Sequence, residues 1–60
     1  MTLKEFRQKK NKTKQQMADL IKLSLSMYEK LESGQRKPSV DTIKKFKEVF
    51  KDFDTDIFLN

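Results

Sequence analysis

The 60-residue chain contains no cysteine and no histidine. Disulfides, thiolate nucleophiles, Cys/His zinc sites and imidazole general bases are therefore outside its repertoire, and most catalytic chemistry goes with them. An enzyme is not expected, nor a bound metal or cofactor. One glycine and one proline leave few points at which the backbone can break. No stretch approaches the roughly 20 apolar residues that span a bilayer, and the N-terminus lacks the apolar segment of a secretory signal, so a cytoplasmic protein with no membrane partner is expected. A chain this short supports one small core, which makes residues 1–60 a single domain.

Charge is plentiful and unevenly placed. Fourteen Lys/Arg against nine Asp/Glu give a net charge of +5. Up to Lys37 there are ten basic and four acidic residues, and from Pro38 onward four basic and five acidic. The positive field therefore belongs to the first two-thirds and suits a polyanionic partner. A merely lysine-rich solvated surface has the same composition, so charge alone does not identify that partner.

Few β-branched residues and no strand-like alternation argue for helices joined by short turns. Thr2 with Glu5 forms a capping box that starts a first helix carrying Leu3 and Phe6 and fraying at Asn11. Thr13 with Gln16 repeats the device for a second helix, whose Met17, Leu20 and Ile21 share one side and which stops near Lys22. Ser24 caps a third helix, about Leu25 to Ser33, with Tyr28 and Leu31 inward and Gly34 at its end. Pro38 bounds the following loop, and Ser39 caps a fourth helix with Val40, Ile43, Phe46 and Phe50 inward and Lys44, Lys45, Lys47 and Glu48 outward. Asp54 can cap a last short element in the apolar tail of Phe53, Ile57, Phe58 and Leu59. The expected fold is all-α, a compact five-helix bundle around Phe6, Met17, Ile21, Leu31, Ile43, Phe46 and Phe50.

The stretch from Thr13 to Pro38, TKQQMADLIKLSLSMYEKLESGQRKP, holds two short helices joined by a three-residue turn, the arrangement that lets a second helix enter a major groove. Thr13, Ala18, Ser24, Ser26, Glu32, Gly34, Arg36 and Pro38 stand at spacings that resemble the Cro and lambdoid-repressor class of helix-turn-helix transcriptional regulators from phages and mobile elements. The Phe6-Arg7 pair and the fourth helix extend the resemblance over nearly the whole chain. A small side chain at Ala18 also has its own reason, since two helices that cross closely need one at the crossing.

The resemblance implies a lambda-repressor-like fold, with the helix-turn-helix over about 14–33, and a sequence-specific regulator of double-stranded DNA. It would be a repressor that lays helix 3 in the major groove of an operator and works as a homodimer, in the bacterial nucleoid or a phage-infected cell. Burying Tyr28 and Leu31 leaves Leu25, Ser26, Met27, Glu29 and Lys30 outward, and the family reads bases from the matching positions. Leu25 suits a thymine methyl and Lys30 guanine O6/N7, although single exposed apolar residues are ordinary on protein surfaces. Phosphate contacts are expected from Lys12 and Lys14 at the start of helix 2, and from Gln35, Arg36 and Lys37 after helix 3. Arg7 and Glu32 are the pair that the resemblance brings together as an ion pair; both could otherwise be solvated charges. The chain departs from the family at Lys22, where glycine is usual: either a left-handed backbone there costs roughly 1 kcal/mol or the turn differs slightly. It departs again at Lys14 and Leu25, where glutamine is frequent.

The sequence also carries features of other kinds. Asp52, Asp54 and Asp56 are spaced like the start of a calcium loop but lack its glycine and closing glutamate. The tail of Phe53, Ile57, Phe58 and Leu59 fits either the core or a dimer contact. Competing functions are a protein-binding antitoxin or antagonist module and a DNA-bending excision or architectural factor. No small-molecule ligand is expected.

Overall fold

The computed structural model of the protein describes residues 1–58; Leu59 of the apolar tail lies outside them. Four α-helices follow one another: α1 (Leu3–Lys9), α2 (Lys14–Ile21), α3 (Leu25–Ser33) and α4 (Val40–Val49). A single 3-10 turn, Thr55–Phe58, closes the described chain. The bundle therefore has four α-helices and not five. The element after the Asp54 cap is four residues long among the described residues, and over such a length the tighter i to i+3 turn is the usual form.

Each helix begins on the cap its sequence provides. Thr2 and Glu5 bond each other's backbone reciprocally, at 2.8 and 3.1 Å, and Thr13 and Gln16 do the same at 2.9 and 3.1 Å. The hydroxyls of Ser24 and Ser39 accept from the amides of Met27 and Thr42. Near the end, Asp54 Oδ1 accepts from the Asp56 amide at 2.9 Å. These bonds satisfy amides that the first turn of a helix leaves without a partner.

Three helices end in one and the same way. Asn11, Lys22 and Gly34 are the three positive-φ residues among those described, at 56°, 63° and 81°. Each donates its amide to a carbonyl three residues back, and its successor donates to one five back: Lys12 to Arg7, Leu23 to Ala18 and Gln35 to Lys30. This is the Schellman ending, which calls for a left-handed residue just past the helix. Glycine adopts that conformation freely and asparagine tolerates it. Lysine does so only against the clash of its Cβ, so the turn between α2 and α3 keeps the glycine-type backbone without the glycine.

The core consists of Leu3, Phe6, Met17, Ala18, Ile21, Tyr28, Leu31, Phe46, Phe53 and Ile57. All five phenylalanines form one aromatic cluster. Phe6 meets Phe50 and Phe53 edge-on at 5.3 and 5.0 Å, Phe46 stacks on Phe53 at 4.8 Å, and Phe58 lies 5.4 and 5.6 Å from Phe46 and Phe53. The tail residues Phe53 and Ile57 are thereby interior, with Phe58 half-buried against them.

Four residues depart from the expected inward faces. Val40 is 68% exposed and Leu20 40%, while Ile43 and Phe50 are only partly buried. At 100° per residue Val40 sits roughly 120° round α4 from Phe46, and Leu20 roughly 100° from the centre of the Met17, Ala18 and Ile21 face. A spacing of three, taken once from the edge of a stripe, leaves the stripe. Lys45, expected outward, is half-buried, which a long aliphatic stem allows.

Candidate nucleic-acid interface

Helices α2 and α3 pack on each other and α2 also packs on α4, while α1 reaches α3. Ala18 on α2 is fully buried, in keeping with a close helix approach that a larger side chain would prevent. The turn Lys22–Ser24 is held by the Schellman bonds at its start and by the Ser24 cap at its end. Helix α3, with Tyr28 and Leu31 sunk into the core, is therefore anchored on its inner side and at both ends.

On the outer side, one shallow depression is lined by Lys14, Ser26, Glu29, Lys30, Ser33 and Gln35. It unites the start of α2, the exposed stripe of α3 and the first residue after Gly34. Ser33 is not among the residues expected from the sequence, although its position is legible there, three residues beyond Lys30 and four beyond Glu29 on the same helical stripe. Lys14 Nζ lies 3.8 Å from Glu29 Oε2, so a residue expected to contact phosphate neighbours one expected to contact bases.

The remaining positions do not join that depression. Met27 turns to a groove lined also by Leu23, Leu31, Arg36, Lys37 and Pro38. Leu25 and Met27 are both half-buried, and the expectation that they face fully outward is corrected accordingly. Arg36 and Lys37 are exposed on the α3–α4 loop. The amides of Gln35 and Arg36 already donate to the Lys30 carbonyl, which leaves their side chains for any external contact. Lys12 is half-buried, its carbonyl occupied by Arg7.

Arg7 is the clamp of this region. Its Nε and Nη2 donate to the two oxygens of Glu32 at 3.0 and 3.1 Å, and Nη1 donates to the Lys12 carbonyl at 3.0 Å. One guanidinium thus joins α1, the end of α3 and the lead-in to α2 by the bidentate geometry in which arginine exceeds lysine. The side chains of Arg7 and Glu32 are 12% and 6% exposed. Burial works against the charged form of Glu32, but the Arg7 hydrogen bonds, the neighbouring Tyr28 hydroxyl and the charges of Arg7 and Lys14 outweigh it and hold the carboxyl below its usual value. Arg7 is raised, first by its bonds to Glu32. The Tyr28 hydroxyl is buried without a hydrogen bond of good geometry. Burial and then the adjacent Glu32 carboxylate push its pKa well up, so it stays neutral.

The Asp52, Asp54 and Asp56 series is spent locally. Asp52 Oδ2 accepts from Lys10 Nζ at 2.8 Å, and Asp54 caps the final turn. Among the described residues no three potential ligand side chains converge on a metal site, and no helix is long and apolar enough to cross a membrane. A helix-turn-helix family model matches residues 3–58. Neither a curated protein nor a solved structure matches the chain at a significant level.

Proposed function

Because the chain belongs to the Cro/lambda-repressor-type helix-turn-helix family of DNA-binding domains, we propose that it is a sequence-specific transcriptional repressor of phage or mobile-element type, inserting α3 into the major groove of operator DNA. The observation that carries this proposal is the depression of Lys14, Ser26, Glu29, Lys30, Ser33 and Gln35, polar throughout and built on a helix whose inner side is locked. A helix of nine residues presents such a stripe to a handful of base pairs, with its N-terminal part nearest the base edges. In this arrangement Ser26, Glu29 and Lys30 meet polar base edges. Leu25 and Met27 offer half-buried apolar surface at the rim, where a thymine methyl is a suitable contact.

Backbone anchoring falls on the two flanks. At the start of α2 the capping box consumes the amides of Thr13 and Gln16. The amides of Lys14 and Gln15 are left pointing from a positive helix end, beside the Lys12 and Lys14 side chains. On the other flank the side chains of Gln35, Arg36 and Lys37 reach a second phosphate run. Such contacts orient the protein without reading sequence. One short helix reads too few base pairs for a unique site, so the working unit is a homodimer on half-sites about 34 Å apart. Repression follows from occupying DNA that polymerase needs, in the nucleoid or in a phage-infected cell.

Selection of bound sites from a random duplex library tests this directly. The expected result is an enriched motif with two-fold symmetry, bound with an affinity that falls steeply with salt. Sequence-blind association, or none, would instead favour a protein-binding module. A motif bound with strong bending would favour an architectural factor.

A further inference from the structure

Four acidic residues stand in the basic part of the chain, up to Lys37: Glu5, Asp19, Glu29 and Glu32. Three have defined structural work. Glu5 closes the capping box of α1, Asp19 accepts from the Gln15 amide group at 2.9 Å, and Glu32 takes both forks of Arg7. Glu29 accepts no hydrogen bond among the described residues. Its one ion pair among the described residues is with Lys14 at 3.8 Å, with both side chains about half exposed, a geometry that contributes little to stability. A carboxylate in the middle of a surface meant for phosphate-lined DNA repels the backbone and weakens sequence-blind binding. Neither fold nor general affinity accounts for it.

We infer that Glu29 is a specificity-determining residue that selects cytosine in the operator by accepting from its N4 amino group; this rests on the DNA-binding function proposed above. An ionised carboxylate has acceptors only. In the major groove guanine and thymine present acceptors at their edges, and the two donors are cytosine N4 and adenine N6. Each amino group has the paired base's oxygen on one side; on the other, adenine presents its N7 acceptor, which the second carboxylate oxygen would face unfavourably, whereas cytosine presents only a carbon edge. Lys30, the next residue along the same exposed stripe, has the opposite chemistry, donors only, and suits guanine. The pair therefore offers an acceptor and a donor side by side, and each rejects what the other accepts. Lys14 offsets part of the repulsion between Glu29 and the nearby phosphates, at the expense of its own phosphate contact.

The test is site selection from a random duplex library with the wild type, Glu29→Gln and Glu29→Ala, each checked for helicity and melting temperature. Both variants fold like the wild type, because Glu29 is exposed. The wild type is expected to prefer cytosine about five- to tenfold at one position per half-site, the lower range for a good base contact. Glu29→Gln, whose amide both donates and accepts, moves that position toward adenine. Glu29→Ala loses the preference there, keeps it elsewhere and binds random DNA more tightly. If the wild type yields a motif that both variants reproduce unchanged, or if the position that responds prefers guanine or thymine, the inference is overturned while the repressor proposal stands. If the wild type yields no motif, both fall together.

Discussion

Lys22 carries a backbone conformation that its side chain opposes. At φ 63° and ψ 42° it stands where the Schellman ending of α2 requires the left-handed region, and the fold keeps that geometry because the Leu23 amide bond to Ala18 at 2.9 Å sets the path into the turn. Lys22→Gly removes the Cβ clash, worth roughly 1–2 kcal/mol, and returns part of it as extra freedom of the unfolded chain. The net expectation is a stabilisation of about 0.5–1 kcal/mol in urea unfolding, whereas Asn11→Gly at the equivalent end of α1 should change almost nothing. Tyr28 makes the converse case. Its hydroxyl is buried and unpartnered, so Tyr28→Phe should alter stability by less than about 1 kcal/mol. A clear loss would mean that the hydroxyl hydrogen-bonds Glu32 in solution. The cost at Lys22 was one of two outcomes that the family resemblance left open, since the family usually has glycine at that turn, and the left-handed backbone decides for it. The place of the Tyr28 hydroxyl, beside Glu32 yet without a hydrogen bond of good geometry, was not legible in the sequence, since only packing decides which neighbours a buried group meets.

Between elements, the Arg7–Glu32 pair ties α1 to α3. Removing one partner strands the other charge, and Glu32→Ala should cost about 3 kcal/mol, the low end for a buried pair because both groups still see some solvent. The sign of the pH dependence follows from Glu32, whose carboxyl is held below its usual value. Its contribution is complete above the unfolded value of about 4.3 and is lost as pH falls through the lower folded value. Arg7 is raised, so nothing from this pair is lost toward neutral or mildly alkaline pH. Stability of the wild type relative to Glu32→Gln should therefore be constant from pH 6 to 8 and shrink in acid, as urea titrations at several pH values can show. On α3 and its following loop, Lys30 and Arg36 have different surroundings, the polar depression and the open loop. Lys30→Ala is expected to relax preference at one base by about 1–3 kcal/mol, and Arg36→Ala to weaken all sequences alike and flatten the salt slope. Identical behaviour of the two across an operator library would refute this division of roles.

For the molecule as a whole, the tail decides stability. Ile57 and Phe53 are interior, and five phenylalanine rings connect α1, α4 and the final turn. A domain of this size has a stability of only a few kcal/mol, so Ile57→Ala, at about 2–4 kcal/mol, should leave a large share of the chain unfolded at 37 °C in a thermal melt. An unchanged melting temperature would show that the tail does not close the core. Burial of Phe53 and Ile57 within one copy also takes these two side chains out of any contact between copies.

The elements were readable from local chemistry. Caps act over three residues and helix endings over five, so Thr2, Thr13, Ser24, Ser39 and Gly34 announce their helices without help from the rest of the chain. The basic bias of the first two-thirds and the spacing from Thr13 to Pro38 carried the family in the same direct way. What lay beyond reach depends on distant contacts. Val40 and Leu20 satisfied the pattern of an inward face yet stand outside it, because a stripe's centre is set by the helix against which it packs. Met27 left the group of Ser26, Glu29 and Lys30 because the α3–α4 loop offered it a groove. Ser33 and Lys14 joined that group because packing α2 against α3 brought their surfaces together. One-dimensional spacing says which residues share a helix face; which faces share a surface is chosen only when apolar area is buried between elements far apart in the chain.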